Sequence, residues 1–287
     1  MTLLPKVTLG HRELPPPRVH SPTPAIIAAC DGTDGAIASF LKTRKTVAGY
    51  WQYESTAEAL NLFNLAIRHI EGLLALARDD LVLYRAACAC ARAAFETSAK
   101  AAWMVDTNDP FVREMRWLAH LAEEERVYER AAKRYSDLAH DFGGFTQHAS
   151  QLKKFGLAVQ ARLPSGVKAI AHNPTLDQML ASFDGKQLYP LYIYLSQFVH
   201  GGHAATWIYR KGLGTQRRAG EFIDASDWYV PFRLSWLGLR ELGSLMLWRL
   251  GARAKSFMPR AAFAAVDSAV ERIRSGGTPT DGTEKPQ

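Results

Sequence analysis

The segment from Leu81 to Val105 is the feature that most limits what this chain can fold into. Its sequence is LVLYRAACACARAAFETSAKAAWMV, and its four charged residues are Arg85, Arg92, Glu96 and Lys100. In an α-helix, which turns 100° per residue, all four fall within an arc of about 80°. The rest of the circumference is almost entirely Ala, Cys, Leu, Val, Phe and Met. A helix with so narrow a polar stripe needs protein on its other sides, so the sequence predicts a central helix.

The remainder of the chain also favours helices over strands. Ala and Leu outnumber Val and Thr, and hydrophobic residues make up 47% of the sequence. Helical spacing predicts helices over 35–49, 54–78, 81–106, 110–140, 146–162, 186–210, 226–250 and 259–274, with a short one starting near Pro174. Ser55 and Glu58 are spaced as a capping box for the second of these. We therefore predict an all-α fold: a helical bundle over 25–274, an extended proline-rich arm over 1–24 and a disordered tail over 275–287.

Charge and hydropathy narrow the functional class. The net charge of +7 permits binding to a polyanion without establishing it. The loop around Lys211, Arg217 and Arg218 offers a flexible phosphate contact or simply a solvated loop. No apolar run is long enough to cross a membrane, and the N-terminus does not resemble a signal peptide. The three cysteines are not spaced as disulfide partners, which is typical of proteins from a reducing compartment. We therefore expect a cytoplasmic protein that does not associate with membranes.

A second group of polar residues lies in LYPLYIYLSQFVHGGHAATWIYR, residues 188–210. As one helix, this segment places Ser196, His200 and His203 on one face, although Gly201 and Gly202 favour a kink or a break there. Histidine suits proton transfer near neutral pH, and arginine supplies fixed positive charge for phosphate. We therefore name as catalytic candidates Arg92, Glu96, Ser196 and His200, and as substrate-binding candidates Arg85, Lys100, Gly201 and His203. Together they could support metal-independent RNA cleavage.

Two other interpretations of these residues stay open. Arg92 and Glu96 are spaced i,i+4, and such a pair can simply hold helices in register. Alternatively, His200 and His203 could bind a metal with Glu96 or His172 as a third ligand. Because no HExxH or comparable motif is present, we predict no metal and no cofactor.

The stretches RAAFETSAKAAWMVD (92–106) and LSQFVHGG (195–202) resemble a group of bacterial all-helical proteins. Those proteins have an R-x3-E helix and a later S-x3-H-G helix, and they are similar to HEPN-type helical domains. The resemblance covers about residues 50–210 and implies a bundle in which the two helices meet. It carries over Arg92, Glu96, Ser196, His200 and Gly201 as the site.

HEPN-type proteins are often RNases that act as toxins or in phage defence, usually as dimers. The resemblance therefore implies RNA as substrate, a homodimer, and an antitoxin or defence-system partner. The competing hypothesis is a non-catalytic binding or regulatory module. In that hypothesis the Arg/Glu/His group is a buried structural network.

Overall fold

The computed structural model describes residues 21–49, 52–137, 144–206, 209–211, 218–219, 223–253 and 256–275. The fold is all-α, as predicted. The helices are α1 (Pro24–Arg44), α2 (Glu54–Asp79), α3 (Tyr84–Val105), α4 (Pro110–Asp137), α5 (Phe145–Gln160), α6 (Leu176–Ser182), α7 (Tyr189–Val199), α8 (His203–Thr206), α9 (Tyr229–Leu237), α10 (Gly243–Arg249) and α11 (Arg260–Arg274). Residues 1–20 and 276–287, which make up most of the predicted arm and tail, lie outside the described residues.

The described part of the chain also contains one short antiparallel strand pair. Strand β1 (Arg210–Lys211) pairs with β2 (Arg218–Ala219), and Lys211 lies opposite Arg218. Arg217 lies outside the described residues. These strands could not be predicted from the sequence, since two residues are too few to show an alternating pattern.

Helix α3 lies at the centre of the bundle, as its sequence predicts. It packs against α2, α7 and α9, and most of its apolar side chains are buried. Small residues allow this close packing: a Cβ added at Gly238, just after α9, would lie 3.4 Å from Ser98 Oγ on α3. Large aromatic side chains fill the surrounding core, among them Phe40, Phe63, Phe95, Trp228 and Trp236. The narrow stripe of Arg and Glu on α3 therefore remains the only strongly polar side of a buried helix.

Helix α1 begins earlier than the predicted start at residue 35. Thr23 caps it, because its Oγ1 accepts a hydrogen bond from the Ile26 N–H at 3.4 Å, and Pro24 occupies the first helical position. Gly32 lies inside the helix. A Cβ at this position would come within 2.8 Å of Val266 Cγ2 on α11. Gly32 is therefore a point of close helix packing.

The predicted capping box at the start of α2 is wrong, although the predicted bounds of the helix are confirmed. Ser55 lies inside the helix, its Oγ is buried, and no described group hydrogen-bonds to it. Its backbone N–H instead donates to Oε1 of Glu114 on α4, at 2.9 Å. Glu114 is only 4% exposed. A carboxylate from another helix thus caps α2, and Glu58 is left to face α4.

The predicted long helix over 186–210 is also wrong, because it breaks after α7. Gly201 has a φ of +65°, a left-handed conformation that favours glycine. The Gly202 N–H donates to the Gln197 carbonyl at 2.8 Å, the bond that closes a Schellman C-cap. His203 then begins the four-residue helix α8. The predicted angular relation between His200 and His203 therefore does not hold.

Candidate functional site

The ionic stripe of α3 faces α7 through a group of five side chains, here called the polar clamp: Arg92, Glu96, Lys100, Tyr192 and Ser196. Arg92 Nε donates to Ser196 Oγ at 2.9 Å, and Arg92 Nη2 donates to Tyr192 Oη at 2.8 Å. Tyr192 Oη in turn donates to Glu96 Oε2 at 3.0 Å. Lys100 Nζ donates to the other carboxylate oxygen at 2.9 Å. The clamp therefore joins two helices that lie about 100 residues apart in the sequence.

The protonation states of the clamp follow from its surroundings. Burial raises the pKa of Glu96, but the Lys100 ammonium, the Tyr192 hydroxyl and the Arg92 guanidinium together hold that pKa below its ordinary value. Burial and the Glu96 carboxylate raise the pKa of Tyr192. At neutral pH the carboxylate is therefore ionised and the phenol keeps its proton. This is the combination that lets Tyr192 accept from Arg92 while it donates to Glu96.

His200 does not belong to the clamp. It is exposed at the C-terminal end of α7, and its imidazole makes no hydrogen bond or ion pair within the described part of the chain. Its backbone N–H donates to the Ser196 carbonyl at 3.1 Å, which places it one helical turn beyond the clamp. The structure thus brings together three catalytic candidates, Arg92, Glu96 and Ser196, and leaves the fourth at the surface.

The substrate-binding candidates have separate positions. Lys100 is part of the clamp, and Gly201 forms the turn after α7. Arg85 donates through Nη2 to the Ala205 carbonyl, and its guanidinium carbon lies 3.8 Å from the centroid of the Tyr209 ring. The stripe of α3 therefore holds α8 and the residue before β1 as well as α7. For His203 the structure gives only its place at the start of α8.

Tyr192 is the functional residue that sequence reasoning missed. It makes hydrogen bonds to both Arg92 and Glu96, and its ring lies 5.0 Å from the Arg92 guanidinium carbon. A signal was present in the sequence, since Tyr192 precedes Ser196 by one helical turn and so shares its face. A tyrosine in an aromatic-rich helix is typical of core packing, and the spacing alone does not show that its hydroxyl links two charged groups.

A second polar group, which the sequence did not indicate, lies between α2 and α4. His120 Nε2 is 3.9 Å from Glu58 Oε1, and the Asn173 amide nitrogen is 3.4 Å from His120 Nδ1. Burial lowers the pKa of His120 and raises that of Glu58. Lys100 also lowers the pKa of His120, so this group lies within electrostatic range of the polar clamp. His120 and Glu58 are therefore each uncharged more readily than a free side chain, as expected of contacts in a helix interface.

Among the described residues, no three His, Cys, Asp or Glu side chains come together in a way that could hold a metal ion. None of the described helices is both long enough and apolar enough for a bilayer crossing.

Comparisons of this chain with protein-family models, with curated proteins and with solved structures returned no match. The HEPN-like assignment therefore stays a prediction.

Proposed function

We propose that this protein is a non-catalytic helical binding or regulatory module in which the polar clamp fixes α7 on α3. The observation that supports the proposal is that the clamp groups bond to one another. Both Glu96 oxygens are occupied, one by Lys100 and the other by Tyr192 and Arg92. A general base or nucleophile needs a free lone pair directed at substrate. Lys100, Tyr192 and Arg92 engage both oxygens of Glu96 and hold its pKa below the ordinary value, which makes it a weak base. A satisfied polar network of this kind suits a structural role.

The position of His200 points the same way. Histidine is the natural proton carrier in the predicted site, but its imidazole lies outside the clamp and is exposed. Without an imidazole beside Arg92 and Glu96, the acid–base group that RNA cleavage requires is incomplete. A folded domain that catalyses no reaction acts by binding other molecules, and we therefore assign this protein to the binding or regulatory modules.

The test measures stability and RNA cleavage on the same preparations. We expect Glu96→Gln to lower the melting temperature by several degrees and His200→Ala to leave it unchanged, because only Glu96 belongs to the clamp. We also expect wild-type protein to leave a fluorophore-labelled single-stranded RNA intact in the presence of EDTA. Cleavage by the wild type that His200→Ala abolishes would refute the proposal.

A metal-independent RNase of a toxin or phage-defence system, with a HEPN-like fold, is the second candidate. One observation favours it: the exposed His200 lies one turn beyond the contact between Arg92 and Ser196. In addition, Arg92 Nη1 has no hydrogen-bond partner among the described groups. An RNA phosphate beside this turn would meet a guanidinium for its charge and an imidazole for proton transfer.

This second candidate brings its own partners and its own test. It implies RNA as substrate, a second copy of the chain and an antitoxin or defence-system partner. It requires that Arg92→Ala and His200→Ala each abolish RNA cleavage while Tyr189→Phe, on the same helix, retains it. Equal activity in all three variants would remove the site from any cleavage mechanism.

A further inference from the structure

A cleft of about 460 Å³ lies between the α9–α10 helix and the start of α11. It shares no lining residue with the polar clamp. Arg240, Arg260 and Asp267 supply its charged groups, and Met258, Phe263 and Ala264 form its apolar wall. The volume falls within the range of about 300–1,000 Å³ that is usual for small-molecule sites. A charged rim beside an apolar wall suits a ligand with both characters.

The helix on one side of the cleft has an unusual backbone. Between α9 and α10, residues Gly238–Leu242 form a π-helical turn. Such turns are rare, and they occur frequently at functional sites because the extra residue re-aims a side chain. Arg240 lies within this turn, where it bonds to Asp267 and its guanidinium carbon lies 5.5 Å from the centroid of the Phe263 ring.

The charges in the cleft leave one cation without a counterion. Asp267 accepts a hydrogen bond from Trp236 Nε1 at 2.8 Å and is ion-paired with Arg233 and Arg240. Arg240 is also ion-paired with Glu241, Nε to Oε1, at 3.1 Å. The charges of Asp267 and Arg240 are therefore already balanced. Arg260 is exposed and makes no ion pair or hydrogen bond through its side chain within the described residues. Its guanidinium is free to bind an anion.

We propose that this cleft binds a small organic anion, with a carboxylate or phosphate group held by Arg260 and an apolar body against Met258, Phe263 and Ala264. The inference deepens the proposed binding function, on which it rests, by naming a ligand class. Arg260 lies at the start of α11 and is not part of the clamp, so loss of this ligand would leave the stability of the clamp unchanged. The two proposals can therefore fail separately.

The experiment is a calorimetric titration of the full chain with phenyl phosphate and with benzoate, which share an anionic group on an aromatic body. We expect saturable binding of at least one of them, and at least tenfold weaker binding of neutral benzyl alcohol and of inorganic phosphate. Failure of both aromatic anions to saturate would overturn the proposal. Equal binding of benzyl alcohol or of inorganic phosphate would also overturn it, because one half of the ligand would then be irrelevant.

Two variants place the binding in this cleft. Ala264→Trp fills the space next to Phe263, whereas Ala265→Trp puts the same bulk on an exposed neighbouring position of α11 that does not line the cleft. We expect at least tenfold weaker binding for the first and wild-type binding for the second. Arg260→Ala is exposed and unpaired, so it should fold normally and weaken binding about tenfold. Wild-type affinity in both Ala264→Trp and Arg260→Ala would overturn the assignment.

Discussion

Removing the Tyr192 hydroxyl is the perturbation that isolates the polar clamp with the least change in shape. Tyr192→Phe keeps the ring but deletes the bond from Arg92 at 2.8 Å and the bond to Glu96 at 3.0 Å. Hydrogen bonds to charged groups contribute about 1.5–3 kcal/mol each, and exposure of the clamp reduces this. Because water can partly replace the lost hydroxyl, we expect a total loss of roughly 2 kcal/mol in the free energy of unfolding.

Thermal and urea denaturation followed by circular dichroism measure this loss. For a domain of this size, roughly 2 kcal/mol corresponds to a fall of about 4–8 °C in melting temperature. Tyr189→Phe is the matched control, since Tyr189 lies on the same helix, stacks on Tyr192 and makes no hydrogen bond through its hydroxyl within the described residues. The control should change stability by less than about 0.5 kcal/mol. Equal melting temperatures for the two variants would show that the clamp does not stabilise the fold.

Three further predictions concern other groups. Because the folded-state pKa of Glu96 lies below its ordinary value of 4.5, the stabilising effect of its carboxylate is present above that pH and is lost as pH falls. Glu96→Gln should therefore reduce the loss in free energy of unfolding that the wild type shows at acid pH. The same loss at acid pH in both proteins would contradict this. Gly32→Ala should lower the free energy of unfolding by about 1–3 kcal/mol, because the new Cβ clashes with Val266. Gly35→Ala in the same helix has open space around it and should raise the free energy of unfolding by about 0.5–1 kcal/mol. Shifts of the urea midpoint in the same direction for both variants would refute the packing role of Gly32. Glu114→Ala should lower the free energy of unfolding, measured by urea denaturation, by about 1–2 kcal/mol because it removes the cap of α2, and Glu114→Gln should lower it much less. Equal losses in the two variants would contradict the capping role.

Helices with strong periodicity could be predicted closely from the sequence. The bounds of α2 agree with the structure to within one residue at its C-terminal end, and α3 is central as its narrow stripe requires. Such helices can be located from the sequence because their apolar residues recur every three or four positions. The contact between Arg92 and Ser196 was also suggested by the sequence, because each of the two helices carries its polar side chains on one face. Polar groups that become half-buried between helices are stabilised by bonding to one another.

The parts that the sequence could not show depend on contacts between distant residues. The Glu114 carboxylate that caps α2 lies 59 residues after Ser55 in the sequence, and no local sequence pattern predicts this contact. The position of His200 depends on whether two adjacent glycines kink or end the helix. Gly201 takes a left-handed conformation and ends α7, so the imidazole remains exposed. Glycine allows either outcome, and tertiary packing selects one.

A double-mutant cycle between Glu96→Gln and Tyr192→Phe, measured by urea denaturation, tests the clamp most directly. If the two side chains stabilise the fold through their shared hydrogen bond, their effects should be coupled by about 1 kcal/mol or more. Single-variant losses that add to within about 0.3 kcal/mol in the double variant would show that the two groups act independently. That result would contradict the assignment of this cluster as the element that fixes α7 on α3.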